Sequence, residues 1–250
     1  MLNYNMMNLS FDEPAGVLVK TTSVDFPGRI AGSFFLKGCN LRCPYCYNTE
    51  LVQGKAEGLS SVNDLFSHLE KRKGVISGLV ISGGEPLLNP YTKDIIIKAK
   101  SLGYKIKIDT NGTLPDKLNL FVNDSELKPD FIAMDLKTSP TKYSKLLGSN
   151  TSVVSEKYFF EKITQSIKII STLPADSREF RTVLVPGLVE KSDIKTMAAL
   201  LPSDASWQFA QFQGGSCLDK NYNNLIPYTD FEIKEIIDLA KEFIPGATLR

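Results

Sequence analysis

The 250 residues include 29 Lys and Arg against 28 Asp and Glu, a formal charge of +1, with 42% hydrophobic and 23% charged positions. That balance belongs to a folded globular chain; it excludes disorder and coiled coil, and it offers no field to draw a phosphate backbone or an anionic membrane surface. The N-terminal stretch MLNYNMMNLSFDEP lacks a basic segment leading into an apolar one, and no apolar run approaches the roughly 18 residues of a membrane span, so a cytoplasmic protein with no nucleic-acid and no membrane partner is expected.

Residues 1–29 read as an N-terminal extension leading into the first strand. Runs rich in Val, Ile and Phe then predict strands over 30–36, 78–82, 104–108, 130–134, 179–185 and 206–212. Between them apolar residues recur at helical spacing. Val62, Leu65, Phe66 and Leu69 follow Ser60 or Ser61 as N-cap, with Gly74 placed to end that helix. Phe159, Ile163, Ile167 and Ile170 form a stripe behind Ser155, and Thr229 with Glu232 suggests a capping box ahead of Ile233, Ile236, Ile237 and Ala240. Alternation of this kind, with no repeat, low-complexity tract or linker, implies one α/β domain over 1–250. Its parallel strands would lie under helices, in either an open doubly wound sheet or an incomplete β/α barrel.

The strand ends are more telling than the strands. They read Gly38-Cys39, Gly83-Gly84-Glu85-Pro86, Asp109-Thr110-Asn111-Gly112, Asp135-Leu136-Lys137, Pro186-Gly187 and Gln213-Gly214-Gly215. Gly and Asp also make ordinary turns and N-caps. All six ends together favour a shared site, because loops converge at the C-terminal edge of β/α folds.

Of four cysteines, Cys39, Cys43 and Cys46 stand as C-x3-C-x2-C within GCNLRCPYCYN. Thiolates so close together point to one soft metal centre rather than a disulfide scaffold. A four-iron cluster held by three thiolates keeps one iron open to an outside ligand. The other reading is a structural zinc site with Cys217 or the lone His68 as fourth ligand, although His68 falls on a helix beside its apolar stripe and Cys217 reads as a small loop residue.

The cysteine motif after the first strand, followed one β/α unit later by Ser-Gly-Gly-Glu-Pro, resembles the radical S-adenosylmethionine (SAM) superfamily. The resemblance implies a partial (β/α)6 barrel in which Cys39, Cys43 and Cys46 hold one 4Fe-4S cluster and SAM chelates its open iron. It also implies Tyr45 beside the adenine, with Gly83, Gly84 and Glu85 at the methionine amino group. Two glycines let backbone approach a ligand closely, and a carboxylate can pair with an ammonium.

TTSVDFPGRIAGSFFLKGCNLRCPYCYNTEL, the later DTNG and MDLK segments, and RTVLVPG at 181–187 are similar more narrowly to glycyl-radical enzyme activating proteins of the anaerobic ribonucleotide reductase and pyruvate formate-lyase types. That likeness implies Asp135, Leu136, Lys137 and Thr138 lining the SAM site, with Arg181 and Val183 near ribose and adenine. The oxygens of Asp109, Thr110 and Asp135 could hold a monovalent cation, since hard cations select oxygen. The partners implied are a glycyl-radical enzyme as protein substrate and an electron donor of flavodoxin or ferredoxin type. The chain departs from the pattern at Tyr47, where a His is usual, and at Gln211-Phe212-Gln213, which lacks one. Two rivals stand beside this reading. One is a radical SAM enzyme acting on a small molecule, such as a 7-carboxy-7-deazaguanine synthase, and the other a non-catalytic iron-sulfur or zinc module.

Overall fold

The computed structural model describes residues 10–148 and 156–250. Six of its strands fall where the apolar runs predict them: β2 (Ala31–Leu36), β4 (Gly78–Gly83), β5 (Lys105–Thr110), β6 (Phe131–Asp135), β7 (Arg178–Leu184) and β8 (Trp207–Gln211). They pair in parallel in that order, each to the next. The extension expected over 1–29 needs correction, because it holds a strand of its own, β1 (Pro14–Thr22), antiparallel to β2. Pro14 and Gly16 punctuate that run and hid it; Pro14 stands at the strand's first position, where a missing N–H is tolerated. β3 (Ser60–Ser61) pairs antiparallel with β1 at one edge, and β9 (Ala247–Leu249) joins β8 in parallel at the other. The resulting sheet, ordered β3-β1-β2-β4-β5-β6-β7-β8-β9, is the curved wall of a partial barrel.

The helices are α1 (Thr49–Gln53), α2 (Val62–Lys71), α3 (Thr92–Ser101), α4 (Pro115–Asn123), α5 (Glu156–Ile170), α6 (Lys191–Ala198) and α7 (Asp230–Phe243). Ser61 is the N-cap of α2. Its hydroxyl accepts the Asp64 N–H at 3.0 Å while the Asp64 carboxylate accepts the Ser61 N–H at 2.8 Å. The helix ends at Lys71, and Gly74 sits in the turn beyond it with φ +81. Thr229 and Glu232 close the same reciprocal box on α7. Phe159, Ile163, Ile167 and Ile170 form the buried stripe of α5, and the Ser155 expected to cap it lies outside the described residues. No helix among the described residues is long and apolar enough to cross a membrane.

Strand parity separates two environments. Phe34, Leu36, Leu79, Ile81, Ile106 and Ile108 face the helices and join the main core. The alternate positions face the lumen. There a small apolar floor of Phe26, Ala31, Val80, Phe131 and Ala133 closes one end, and polar and charged side chains lie above it toward the strand C-termini.

Candidate active site

The loop after β2 carries the three cysteines and is tied down by backbone. Arg42 N–H donates to Leu146 O (2.7 Å), Cys46 N–H to Cys43 O (3.0 Å), Leu218 N–H to Cys46 O (3.1 Å) and Asp219 N–H to Pro44 O (2.9 Å). Cys39, Cys43 and Cys46 line one cavity of about 340 Å³. Burial pushes the Cys43 thiol up to about 12 and raises Cys39 as well, against the pull of the Lys137 ammonium. Thiols so desolvated become thiolates only when a metal centre supplies positive charge, so the donor set fits a soft metal cluster. Among the described residues no three His, Cys, Asp or Glu side chains converge on a site for a single ion. Neither proposed fourth zinc ligand lines this cavity. Cys217 is buried in the segment that covers the cysteine loop, and the His68 ring bonds Lys20 O (2.9 Å) in a groove between α2 and β1.

The Gly83-Gly84-Glu85-Pro86 turn lies directly against that loop. Glu85 N–H donates to Gly38 O and Gly84 N–H to Leu36 O, both at 2.9 Å. A Cβ on Gly83 would overlap the Leu36 backbone, one on Gly84 would overlap the Gly38 carbonyl, and Gly83 has φ +115. The glycines are thus required by protein backbone, while both still border the cavity. Glu85 corrects the expectation of a ligand contact: it is fully buried and absent from the cavity wall. One carboxylate oxygen accepts from Leu87 N–H (3.1 Å) and the Thr110 hydroxyl (2.9 Å), the other from Asn111 N–H (2.7 Å). Burial raises its pKa to about 7 in spite of those three donors. Glu85 therefore fastens the β4 turn to the β5 turn. The Asn111 side chain extends that fastening, donating to Asn40 Oδ1 (2.9 Å) and to Cys39 Sγ (3.8 Å).

Opposite the cysteines, charges alternate along the wall. Lys107 Nζ lies 2.9 Å from Asp109 Oδ1, and Arg181 bonds Asp109 Oδ2 (3.1 Å) and Asp135 Oδ1 (2.8 Å). Lys137 reaches Asp135 Oδ2 at 3.1 Å. Burial raises the Asp135 carboxyl, but Arg181 and Lys137 outweigh it and hold the pKa at about 2; the same contest leaves Asp109 below its ordinary value. Burial works against the charged forms of Lys137 and Arg181, but the carboxylates raise both, so Asp109, Asp135, Lys137 and Arg181 are ionised at neutral pH. The oxygens expected to take a monovalent cation are thus already engaged: those of Asp109 and Asp135 face Arg181 and lysines, and Thr110 gives its hydroxyl to Glu85.

Tyr45, Asp135, Lys137, Arg181 and Val183 also border a second cavity of about 260 Å³ toward β8. The structure thus gathers the cysteines, Tyr45, Gly83, Gly84, Asp109, Thr110, Asp135, Lys137, Arg181 and Val183 around connected space. Leu136 and Thr138 stay out of it. Leu136 N–H donates to Arg181 O (2.9 Å), and the Thr138 hydroxyl donates to Leu188 O. Sequence reasoning missed Lys107, Ser82 and Asp25. Ser82 donates to Asp109 Oδ2 (3.0 Å), and Lys107 donates to Asp25 O (2.7 Å) from beneath. For Lys107 and Ser82 the signal was a polar residue at alternate positions of otherwise apolar strands, whereas Asp25 lies in the connection between β1 and β2.

Comparison with known proteins identifies the family. The model of the radical SAM superfamily matches residues 33–200. A Methanocaldococcus jannaschii protein provisionally named a glycyl-radical enzyme activating enzyme is 28% identical over 237 residues, covering 93% of this chain and 94% of its own. A 7-carboxy-7-deazaguanine synthase of Hyperthermus butylicus is 36% identical over 94 residues, covering 36% of this chain and 38% of its own. The crystal structure of Streptococcus suis SuiB bound to S-adenosylmethionine aligns with a TM-score of 0.57 at 16% identity, over 85% of this chain and 47% of that one, and so shares the fold. A family match across more than half of the chain, with the three cysteines meeting at one cavity, makes this protein an enzyme of the radical SAM superfamily.

Proposed function

We propose that this enzyme is an activating enzyme that abstracts hydrogen from a glycine of a partner glycyl-radical enzyme, of the anaerobic ribonucleotide reductase or pyruvate formate-lyase type. The observation that carries the reading is a lateral passage. A groove of about 530 Å³ adjoins the cysteine cavity and shares Phe35, Tyr47 and Asn48 with it; Val17 and Val19, more than a third exposed on the inward face of β1, form its wall. Val17, Val19 and Phe35 give the groove one apolar wall beside an extended strand, which suits a peptide segment with a small residue, while Asn48, Thr49, Glu50, Glu57 and Ser216 supply polar groups along the rest of its lining. Tyr47 helps frame the passage, since its hydroxyl accepts the Gln213 N–H at 2.7 Å.

When bound, a 4Fe-4S cluster and SAM supply one-electron cleavage of a carbon-sulfur bond and a 5′-deoxyadenosyl radical. The chain's own residues bind and orient. Cys39, Cys43 and Cys46 would hold the cluster, the Gly83-Gly84 backbone leaves room beside it, and Tyr45 with Val183 would offer apolar surface to the adenosyl group. The fixed charges of Asp135, Lys137 and Arg181 are preorganised for a zwitterionic ligand, because each is already held by its neighbours and need not rearrange. The provisional name of the full-length Methanocaldococcus jannaschii relative supports the substrate class. Mixing the reconstituted enzyme anaerobically with a candidate glycyl-radical enzyme, reductant and SAM should yield 5′-deoxyadenosine and a glycyl doublet by electron paramagnetic resonance. SAM cleavage that proceeds with a nucleoside precursor, and with no radical on any glycyl-radical protein, would give the site to the deazaguanine synthase reading instead.

A further inference from the structure

The sequence suggests a monovalent cation at the oxygens of Asp109, Thr110 and Asp135, yet in the structure each of these side-chain oxygens has a protein partner. Asp135 Oδ1 accepts from Arg181 (2.8 Å) and Oδ2 from Lys137 (3.1 Å). Asp109 Oδ2 accepts from Ser82 (3.0 Å) and Arg181 (3.1 Å). The Thr110 hydroxyl donates to Glu85 Oε1 (2.9 Å) and accepts the Gly112 N–H (3.2 Å). The last oxygen, Asp109 Oδ1, is buried and makes no hydrogen bond among the described residues; its partner is the charge of Lys107, with Nζ at 2.9 Å.

Lys107 is 1% exposed and stands in register between Val80 and Phe131, two residues of the apolar floor, with Nζ 5.8 Å from the centre of the Phe131 ring. Its stem is thus rooted in the floor, and its tip reaches along β5 to Asp109. The same Nζ donates to Asp25 O (2.7 Å) and lies 3.7 Å from Glu179 Oε1. Asp109 lines the cysteine cavity and Lys107 does not, so Lys107 can act on a ligand there only through Asp109. Along the wall three acids, Asp109, Asp135 and Glu179, face three cations, Lys107, Lys137 and Arg181. An ion from solution would have to shed its water and displace a side chain already in contact, with no unpaired carboxylate of the wall to attract it.

We propose that Lys107 is a built-in cation, a positioning residue that stands where a dissolved monovalent ion would and fixes Asp109 so that its second oxygen orients Arg181 at the SAM site. This rests on the reading that SAM occupies the cavity lined by Asp109, Asp135 and Arg181. Because the charge is attached to β5, no ion has to be ordered when the ligand binds, and the wall is set before SAM arrives. The enzyme is accordingly indifferent to the monovalent salt around it.

The test measures the SAM affinity of the cluster-loaded protein in KCl, NaCl and choline chloride at one ionic strength, for the wild type and two variants. Wild-type Kd should agree within about twofold across the three salts, less than the loss of a single charge-assisted contact would produce. Lys107→Ala and Lys107→Met both remove the charge, and each should weaken SAM binding by about tenfold or more in choline chloride, the scale of one such contact. Only the alanine leaves space for an ion at the former Nζ, so K+ or Na+ should restore part of its affinity, saturably, and do nothing for the methionine variant. The cluster-free proteins give a readout without SAM or turnover: the melting midpoint of Lys107→Ala, and not of the wild type, should rise when K+ or Na+ replaces choline. A saturable K+ or Na+ requirement in the wild type overturns the proposal. So do variants that bind SAM like the wild type, and so does an alanine variant that neither ion repairs. Should Lys107→Ala fail to fold, the salt exchange on the wild type and on Lys107→Met still decides. Wild-type protein with an intact cluster but no SAM affinity in any salt would overturn the site reading itself, a failure distinct from any dependence on the ion.

Discussion

The two faces of the parallel strands are buried alike and built oppositely. Ile106 and Ile108 on β5 are fully buried against helices, while Lys107 between them is 1% exposed and faces the lumen. Across the strands the helix side is mostly apolar, with Arg178 and Thr182 of β7 as buried polar positions, and the lumen side above its floor carries Lys107, Asp109, Asp135, Glu179 and Arg181. Apolar burial supplies the cohesion of the first face. On the second, desolvating each charge costs free energy that its partners only offset, and apolar residues of similar volume are often neutral or stabilising in such places. The lumen charges are therefore explained by the site they surround, and a shift of register by one residue in β5 would destroy both faces at once.

The sharpest break of that contrast lies at the cysteines. Changing Cys39, Cys43 or Cys46 to Ala should remove the intact cluster, with iron in anaerobically reconstituted protein falling from about four per chain to a small residue, because a four-iron centre here has only these three thiolates. Cys217→Ala should leave iron content unchanged, since that thiol lies outside the cavity. Iron analysis and visible absorbance decide both; stoichiometric zinc without iron would support the binding-module rival.

Next in size is a matched pair across the two faces. Ile108→Ala should cost about 2–5 kcal/mol by cavity formation and leave SAM affinity within a few-fold. Arg181→Met removes the cation shared by Asp109 and Asp135 and should cost about 2–3 kcal/mol, less than a fully buried pair because Lys107 and Lys137 remain. It should also weaken SAM binding more than tenfold. Chemical denaturation with SAM titration separates the two outcomes, and equal loss of SAM affinity in both variants would end the division of labour.

Much of this was legible in the sequence, and the gaps have physical causes. The six parallel strands announced themselves as apolar runs because both faces of each are buried over much of their length. β1 did not, being an antiparallel strand with exposed Val17 and Val19 and interrupted by Pro14 and Gly16. Local spacing identified the cysteines as a set, the strand ends pointed Asp109 and Asp135 to one shared site, and Arg181 came only with the family resemblance. Spacing could not say that Glu85 turns from the cavity toward Thr110 and Asn111, which depends on how two loops distant in sequence meet. Nor could it show Lys107 supporting Asp109 from below, because a lysine within an apolar strand reads as an interruption until the lumen is seen.

Glu85 offers a smaller, pH-dependent test. Its folded pKa of about 7 lies above the ordinary 4.5, so the folded state binds this proton more tightly than the unfolded chain does. The contribution to stability is full below pH 4.5 and is lost as pH rises through about 7. Asp135 acts in another window: with a folded pKa of about 2, its contribution is present above its ordinary value of 3.8 and fades as pH falls. Glu85→Gln should keep the cluster, cost about 1–3 kcal/mol at acidic pH through a mismatched acceptor, and flatten the fall in stability between pH 5 and 8. Denaturation midpoints of the two proteins across that range, at constant ionic strength, check the slope. An unchanged slope would mean that another group titrates there.

The smallest expected effect lies on the outer layer, far from the lumen. Thr229 caps α7 by accepting the Glu232 N–H at 3.3 Å, and the Glu232 carboxylate accepts the Thr229 N–H at 2.8 Å and its hydroxyl at 2.7 Å. Thr229→Ala removes the hydroxyl from two of these bonds and leaves one helix donor to water, at a cost of about 1 kcal/mol. The buried face of α7, Ile233, Ile236, Ile237 and Ala240, keeps its packing, so the helix should remain docked. Iron content, SAM affinity and SAM cleavage should match the wild type while the denaturation midpoint falls slightly. A change in SAM affinity from this substitution would mean that the helical layer transmits to the lumen, and the two faces of the strands would then have to be treated as one coupled unit.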